Sequence, residues 1–247
     1  MGIDSAKIEK FKAIIDECEH IVFFGGAGVS TESGIPDFRS KDGLYNQHDV
    51  KFDRYSPEYL LSIDCLEDRP KVFYEFYRQK LNVEGIMPNK AHYKLAEMEK
   101  KGKLDGVITQ NIDGLHQKAG SRNVKEIHGS TLRNYCMKCK KPYPADFIFK
   151  AEGDIPLCPE CKGMVRPDVT LYGESLPTTA WNDSIRLVFN ADCLIIGGTS
   201  LVVNPAASLA YRFPGKYLVI INRDKTPRDD AATLVFHDSI SEVLSLI

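Results

Sequence analysis

The chain has 247 residues, of which 43% are hydrophobic, and its 32 lysines and arginines against 34 aspartates and glutamates give a net charge of −2. This near-neutral balance argues against a dedicated nucleic-acid or membrane-surface protein, because such proteins normally carry a basic excess. No apolar run approaches the ~20 residues that span a bilayer, and the polar start from Met1 to Lys12 lacks the order of a secretion signal. We therefore expect a cytoplasmic globular monomer with no membrane or nucleic-acid partner.

Short apolar runs alternate with helix-length stretches along most of the chain. The apolar runs predict strands at Ile21–Phe24, Gly106–Thr109, Val124–Ile127, Val169–Tyr172, Cys193–Ile196, Tyr217–Ile221 and Thr233–Phe236. The stretches between them predict helices at Ser5–Glu19, Lys90–Lys101, Thr178–Asn190, Pro205–Arg212 and Ser239–Ile247. Strands separated by helices are typical of βαβ units, so we predict an α/β fold built on a parallel sheet.

Two regions break this alternation and are predicted to be insertions into the α/β domain. Residues 40–88 are rich in aromatic and turn-forming residues and contain one helical stretch, Pro70–Leu81, but no convincing strand. Residues 131–166 are rich in lysine, proline and cysteine, and their prolines disfavour a long helix. The α/β domain is therefore expected to comprise residues 1–39, 89–130 and 167–247.

Four of the seven cysteines form two C-x-x-C pairs, Cys136 with Cys139 and Cys158 with Cys161. Each pair forms a tight turn that presents two thiolates to one ion, and two such turns complete the tetrahedral coordination of zinc. Two disulfides, or four unrelated cysteines, are the alternatives. Because sulfur would fill all four coordination positions, we predict one structural zinc ion rather than a catalytic one.

Glycine-rich or polar residues follow three of the predicted strands, at Gly26–Gly28, Gly198–Ser200 and Asn222. Parallel strands end at the same edge of their sheet, which is where nucleotides bind in such folds, and a glycine turn between strand and helix lets backbone N–H groups approach a pyrophosphate. The usual dinucleotide fingerprint is incomplete, since Thr31 stands in place of its third glycine and no acidic residue closes a second strand. A tight turn without a ligand is the alternative.

A fourth strand is followed by Gln110, Asn111 and Asp113, and His128 follows a fifth. One carboxylate and two amides are suited to orienting a carboxamide or ribose hydroxyls, although Asn111 or Asp113 could instead cap a helix. Histidine has an ordinary pKa near working pH, so His128 is a candidate general base, with a purely structural histidine as the alternative.

Together these motifs resemble the sirtuins, which are NAD-dependent protein-lysine deacylases. The resemblance rests on Gly26–Ser30, Gly34–Arg39, Thr109–Asp113, His128–Gly129, the paired C-x-x-C motifs, Gly198–Ser200 and Asn222, in family order from about residue 20 to the C-terminus. The length is that of the bacterial-type members. The resemblance implies a Rossmann-like domain with a smaller inserted domain, in which residues 40–88 form a helical module and residues 131–166 a zinc ribbon.

The resemblance also implies a set of site residues. The positions that match the family's NAD site are Ala27, Thr31, Phe38, Arg39, Gln110, Asn111, Ile112, Asp113, His128, Gly198, Thr199, Ser200, Asn222 and Ile240. Those that match its substrate-peptide segments are Val169, Leu171, Tyr172, Gly173 and Val202. By this likeness His128 is the catalytic base, Asn111 is a second catalytic residue, and Asp113 accepts a hydrogen bond from the nicotinamide carboxamide.

The implied reaction consumes NAD as a co-substrate. The acyl oxygen of an acetyl-lysine attacks the nicotinamide ribose, nicotinamide departs, and the products are free lysine and 2′-O-acetyl-ADP-ribose. The peptide is expected to add as a strand to backbone edges between the domains. Tyr77 occupies the position where desuccinylase-like members carry an arginine, so we predict preference for acetyl or another neutral acyl group over succinyl.

Two other functions remain open from the sequence. A mono-ADP-ribosyltransferase needs the same NAD pocket and differs only in the nucleophile. The other function is that of a non-catalytic module, which binds NAD or ADP-ribose and recruits partners through its zinc ribbon. Such a module has no need of His128 or Asn111.

Overall fold

The computed structural model describes residues 2–38, 40–47 and 49–247. Its strands are β1 (Ile21–Gly25), β2 (Gly106–Thr109), β3 (Val124–Glu126), β4 (Gly129–Cys136), β5 (Pro142–Pro144), β6 (Val165–Val169), β7 (Cys193–Gly197), β8 (Tyr217–Ile221) and β9 (Leu234–Phe236). Its α-helices are α1 (Ser5–Glu17), α2 (Pro57–Leu60), α3 (Ile63–Asp68), α4 (Pro70–Lys80), α5 (Lys90–Lys100), α6 (Leu115–Ala119), α7 (Asp146–Phe149), α8 (Thr178–Asn190), α9 (Ser208–Arg212) and α10 (Ile240–Ser245).

A six-stranded sheet in the order β3-β2-β1-β7-β8-β9 forms the centre of the molecule, and all its strand pairs are parallel. Counted along the chain within this sheet, the order is 3-2-1-4-5-6, as in the Rossmann fold. The strand order reverses between β1 and β7, so a crevice opens at their carboxyl ends. The predicted α/β class and parallel sheet are confirmed.

The sheet is covered on both faces, which explains why its strands read as continuous apolar runs. Phe23 of β1 belongs to a core shared with α1, α5 and α10, whereas its neighbours Val22 and Phe24 belong to a core on the other face, with α8 and α9. All three side chains are fully buried. Burying each side chain contributes about 1.5–3 kcal/mol. Because successive side chains of a strand point to opposite faces of the sheet, both faces must be covered by helices.

The two inserted regions share a third core. A three-stranded antiparallel sheet, in the order β5-β4-β6, packs against α3 and α4. Tyr74 of α4 is fully buried there, and its hydroxyl donates a hydrogen bond of 2.8 Å to the Val165 carbonyl of β6. Strand β4 begins at Gly129 and β6 ends at Val169, just outside the expected segment 131–166. The division of the chain into modules at those boundaries stays a prediction.

One local prediction was wrong. The strand expected at Val169–Tyr172 lies earlier in the chain, because β6 pairs with β4 from Val165 to Val169 and the chain then turns at Gly173, whose φ is +92°. The first glycine turn leads into two short 3₁₀ turns, Ala27–Val29 and Thr31–Ser33. Among the described residues, no helix is long and apolar enough to cross a membrane.

Candidate active site

The two glycine turns lie side by side at the carboxyl ends of β1 and β7. The Gly28 N–H donates to the Gly198 carbonyl at 2.8 Å, and a Cβ on Gly28 would lie only 2.7 Å from Gly198 Cα. Gly198 itself has a φ of +60°. These glycines are therefore required for the turns to pack against each other, a role that the sequence pattern alone did not predict.

The polar residues that follow β2 meet these turns, as the parallel sheet requires. Gln110 Nε2 donates to Thr199 Oγ1 at 3.0 Å, and Asn111 Nδ2 donates to Ser30 Oγ at 3.0 Å. The Ser30 hydroxyl in turn donates to Asp113 Oδ2 at 2.7 Å. The structure thus brings the three predicted polar side chains to the switch point of the sheet, linked to both turns.

Asp113 is a buried carboxylate held by neutral donors. Its side chain accepts from Ser30 and, through Oδ1, from the Leu115 N–H at 2.9 Å. Leu115 is the first residue of α6, so the capping role considered from the sequence applies to this oxygen. Burial raises the pKa of Asp113 above its ordinary value, and the two hydrogen bonds act in the opposite direction. The hydrogen bonds from Ser30 and Leu115 therefore favour the ionised form of Asp113, which burial disfavours.

His128 lies between β3 and β4, with its ring largely shielded from water. Its Nδ1 is 3.0 Å from the Gln110 carbonyl oxygen. Since a carbonyl can only accept, Nδ1 carries the proton in this contact, and Nε2 is left with a lone pair in the neutral ring. Burial lowers the pKa of His128 below its ordinary value. Burial outweighs the Gln110 hydrogen bond, which raises the pKa, so the neutral imidazole is favoured and its Nε2 can accept a proton.

Three residues that the sequence reasoning passed over lie behind this cluster. Ser30 is 1% exposed and joins Asn111 to Asp113. His92 Nε2 lies 3.5 Å from Ser30 Oγ, and the ring of His116 lies 4.7 Å from that of His92. Burial lowers the pKa of His92 to about 4 and that of His116 to about 3, so both are neutral at pH 7. They lie on helices among apolar neighbours, and no spacing in the sequence distinguishes them from core residues.

The remaining residues matched to the NAD site are spread along the crevice and beneath it. Asn222 follows β8 and donates to the Asp224 carbonyl at 2.8 Å. Ile240 is 5% exposed and lies under the Gly197 turn as part of the core. Phe38 packs against Tyr45, with ring centroids 5.3 Å apart. Of the other residues matched to this site, Thr31 lies in the second 3₁₀ turn, Ile112 packs at the edge of the third core, and Arg39 lies outside the described residues.

The four cysteines of the two C-x-x-C pairs converge at one end of the small sheet. Their Sγ atoms all lie within 4.8 Å of one another, with Cys136 to Cys161 at 3.4 Å and Cys139 to Cys158 at 3.8 Å. A tetrahedral ion with Zn–S bonds of about 2.3 Å has sulfurs about 3.8 Å apart, so the four thiolates fit zinc. All four are free thiols, as are the three buried core cysteines, Cys18, Cys65 and Cys193.

The segment matched to peptide binding, residues 169–174, is tied to both modules of the small domain. Val169 and Leu171 are buried, and Gly173 and Val202 are exposed. The Tyr172 N–H donates to the Leu61 carbonyl at 2.9 Å, and its own carbonyl accepts from the Ile63 N–H at 3.0 Å. The main chain of Tyr172 is thus already paired with residues at and just before the start of α3.

A 3-2-1-4-5-6 parallel sheet, with glycine turns at its switch point and an inserted four-sulfur site, defines a Rossmann-like nucleotide-binding protein with a metal ribbon. The model of the Sir2 family matches residues 26–205. The chain belongs to the Sir2 family, the sirtuins.

Relatives and solved structures of the same family are similar to this chain along almost its whole length. The chain is 50% identical, over 98% of both chains, to an NAD-dependent protein deacetylase of Clostridium acetobutylicum, and 52% identical, again over 98% of both, to one of Clostridium perfringens. Its fold is similar to a Sir2 structure with a p53 peptide and NAD+, with a TM-score of 0.86 at 40% identity over 96% of this chain and 95% of that one. A Sir2 protein bound to an acetylated peptide gives a TM-score of 0.87 at 37% identity over 96% and 95%.

Proposed function

We propose that this protein is an NAD-dependent protein-lysine deacetylase. The observation that carries the proposal is the convergence of Gln110, Asn111, Asp113 and His128 at the switch point of the sheet, beside both glycine turns. The names of the Clostridium relatives and the NAD+ and peptide in similar Sir2 structures support the same reading.

The crevice residues suit NAD along its length. Ala27, the Gly198–Ser200 turn and Asn222 line the edge where the pyrophosphate and adenosine ribose are proposed to lie. Bound NAD supplies an anomeric carbon from which nicotinamide can leave. The buried Asp113 carboxylate is an acceptor for the carboxamide NH₂, because an ionised carboxylate only accepts hydrogen bonds. The hydrogen bonds from Ser30 and the Leu115 N–H favour its ionised form and oppose the effect of burial on its pKa.

His128 is proposed as the base that takes a proton from a ribose hydroxyl. Its Nδ1 is bonded to the Gln110 carbonyl, which fixes the ring and leaves Nε2 to accept the proton. Asn111 is held by Ser30 and acts as the second catalytic residue. The 169–174 segment beside His128 is proposed to bind the acyl-lysine peptide through its main chain.

The choice of acyl group is proposed to follow from Tyr77. This side chain is fully buried, stacked at 5.5 Å on Phe149 and at 5.7 Å on Phe73. An aromatic residue there offers no positive charge to an acidic acyl group, so we propose that acetyl is preferred over succinyl. Comparing turnover of acetylated and succinylated versions of one peptide tests this, and faster desuccinylation would contradict it.

The zinc is proposed to be structural, holding β4 and the loop before β6 together. We further propose that the protein acts in the cytoplasm as a monomer, in line with its seven free cysteines, since cytosolic thiols stay reduced. Gel filtration with light scattering tests the oligomeric state.

The decisive assay incubates the protein with NAD and an acetyl-lysine peptide and quantifies three products. We expect nicotinamide, deacetylated peptide and acetyl-ADP-ribose in equal amounts, and no deacetylation without NAD. Nicotinamide release with ADP-ribose transferred to protein, while the peptide stays acetylated, would instead establish a mono-ADP-ribosyltransferase. NAD binding without any turnover would establish a binding module.

A further inference from the structure

An ion pair joins the buried Arg166 to Glu174, the half-buried last residue of the segment matched to peptide binding. Arg166 of β6 is 5% exposed and makes a two-pronged contact with Glu174, Nη1 to Oε1 at 2.6 Å and Nη2 to Oε2 at 2.8 Å. Arg166 Nη2 also donates to the Val169 carbonyl at 2.9 Å, and Glu174 Oε2 accepts from the Leu171 N–H at 2.9 Å. One arginine and one glutamate thus bind main-chain groups at the first and third residues of the six-residue bend 169–174.

The same bend is tied to the catalytic side of the molecule. The Thr170 N–H donates to the carbonyl of His128 at 2.9 Å, and Val169 pairs with Gly129 across the small sheet. The turn is completed by the Glu174 N–H, which donates to the Leu171 carbonyl at 3.0 Å. The conformation of the bend is therefore set by contacts to His128 on one side and by the Arg166–Glu174 pair on the other.

We propose that the Arg166–Glu174 pair is a positioning device that shapes the bend at residues 169–174 for the acyl-lysine peptide. The inference rests on the proposed deacetylase function and on peptide binding at this bend. The pair does not touch the reacting atoms and does not line the nucleotide crevice. Its effect therefore falls on peptide binding and leaves NAD binding unchanged.

The chemistry of the Arg166–Glu174 pair is better suited to fixing the geometry of the bend than to stabilising the fold as a whole. A buried ion pair often stabilises a fold no better than apolar residues of similar size, because both charges lose their hydration. A planar guanidinium bound by both prongs of a carboxylate does fix geometry, since it allows only one relative orientation. Arg166 also lies over the Tyr135 ring at 5.7 Å, which holds it on the small sheet.

The first test is Glu174→Gln, which keeps size and shape but removes the charge and one of the two acceptors. We expect the KM for the acetyl peptide to rise by about ten- to a hundredfold, because the loss of a hydrogen bond to a charged group is worth a factor of this size. We expect kcat at saturating peptide and the KM for NAD to stay within about threefold of wild type. An unchanged peptide KM in zinc-loaded, folded protein would overturn the proposal.

The double variant Arg166→Met with Glu174→Gln separates positioning from stability, because it leaves no unpaired buried charge. If the pair positions the bend, this variant melts within a few degrees of wild type and still has a raised peptide KM. If the double variant regains both the melting temperature and the wild-type KM, the role is structural and the proposal fails.

The matched control is Arg133→Gln. Arg133 of β4 also joins two carboxylates, Glu126 of β3 at 2.7 Å and Asp168 of β6 at 2.9 Å, but its side chain is 53% exposed and lies outside the bend. We expect its peptide KM to equal that of wild type, and an increase equal to that of Glu174→Gln would overturn the assignment to the bend. Absence of deacetylation by the wild-type protein would refute the proposed function itself, which the variant ratios do not test.

Discussion

Replacing Ser30 by alanine removes the hydroxyl that joins the two catalytic-site side chains behind the nicotinamide pocket. Ser30 Oγ donates to Asp113 Oδ2 at 2.7 Å and accepts from Asn111 Nδ2 at 3.0 Å, in a position that is 1% exposed. A hydrogen bond to a charged group contributes about 1.5–3 kcal/mol, and the alanine removes one of the two hydrogen bonds to Asp113 as well as the acceptor of Asn111 Nδ2. At about 1.4 kcal/mol per factor of ten, we expect kcat/KM for NAD to fall about ten- to a hundredfold.

The substitution also has a pH signature. The Ser30 hydrogen bond lowers the pKa of Asp113, against the raising effect of burial, so its loss moves that pKa further up. The carboxylate then needs a higher pH to ionise, and we expect the acid limb of kcat/KM for NAD to move to higher pH. Steady-state kinetics from pH 5.5 to 8.5 measure both effects.

Ser33→Ala provides the matched control for Ser30→Ala. Ser33 lies in the neighbouring 3₁₀ turn, and its hydroxyl accepts from Asn89 Nδ2 at 3.0 Å. We expect it to retain kcat/KM within about threefold. Wild-type kcat/KM and an unmoved acid limb in folded Ser30→Ala would refute the reasoning.

Three further results follow from the structure. Burial lowers the pKa of His116 to about 3, so below about pH 6.5 the unfolded chain binds a proton that the native ring does not. The free energy of unfolding therefore falls by about 1.4 kcal/mol for each pH unit below that point. Urea unfolding at pH 7 and pH 5 should show a smaller fall in this free energy for His116→Phe than for wild type, and equal falls would contradict this. Cys139→Ser removes one of four thiolates, so we expect loss of bound zinc by metal analysis and a lower melting temperature, while full zinc content would refute four-sulfur coordination. Burial also lowers the pKa of His128, so the acid limb of kcat/KM should lie below the ordinary histidine value of about 6.5, and a limb above 7 would count against His128 as the base.

Most of the sheet could be predicted from sequence because its strands are buried on both faces. Such strands appear as uninterrupted apolar runs, and those at β1, β2, β7 and β8 lie where the pattern predicted them. The polar residues that follow these strands could then be placed together from the topology alone, since parallel strands end at the same edge of their sheet. The four-cysteine site was predictable for a similar reason, because spacing alone determines which sulfurs can share an ion.

What the sequence did not predict depends on contacts between distant segments. Ser30 and His92 are separated by sixty-two positions, and only the folded chain brings them within 3.5 Å. The strand at 165–169 was misplaced because Arg166 and Asp168 interrupt its apolar pattern, although Arg166 is buried by pairing with Glu174. A buried charge that is neutralised by a later residue has no local sequence signature.

The central claim is that the polar cluster at the switch point binds NAD and that His128 supplies the base. The most direct measurement compares NAD binding and deacetylation in wild type and His128→Ala by isothermal calorimetry and product analysis. We predict that the variant keeps NAD binding largely intact, because the glycine turns and Asp113 are untouched, and that it deacetylates no peptide. Wild-type deacetylation by His128→Ala would contradict the account.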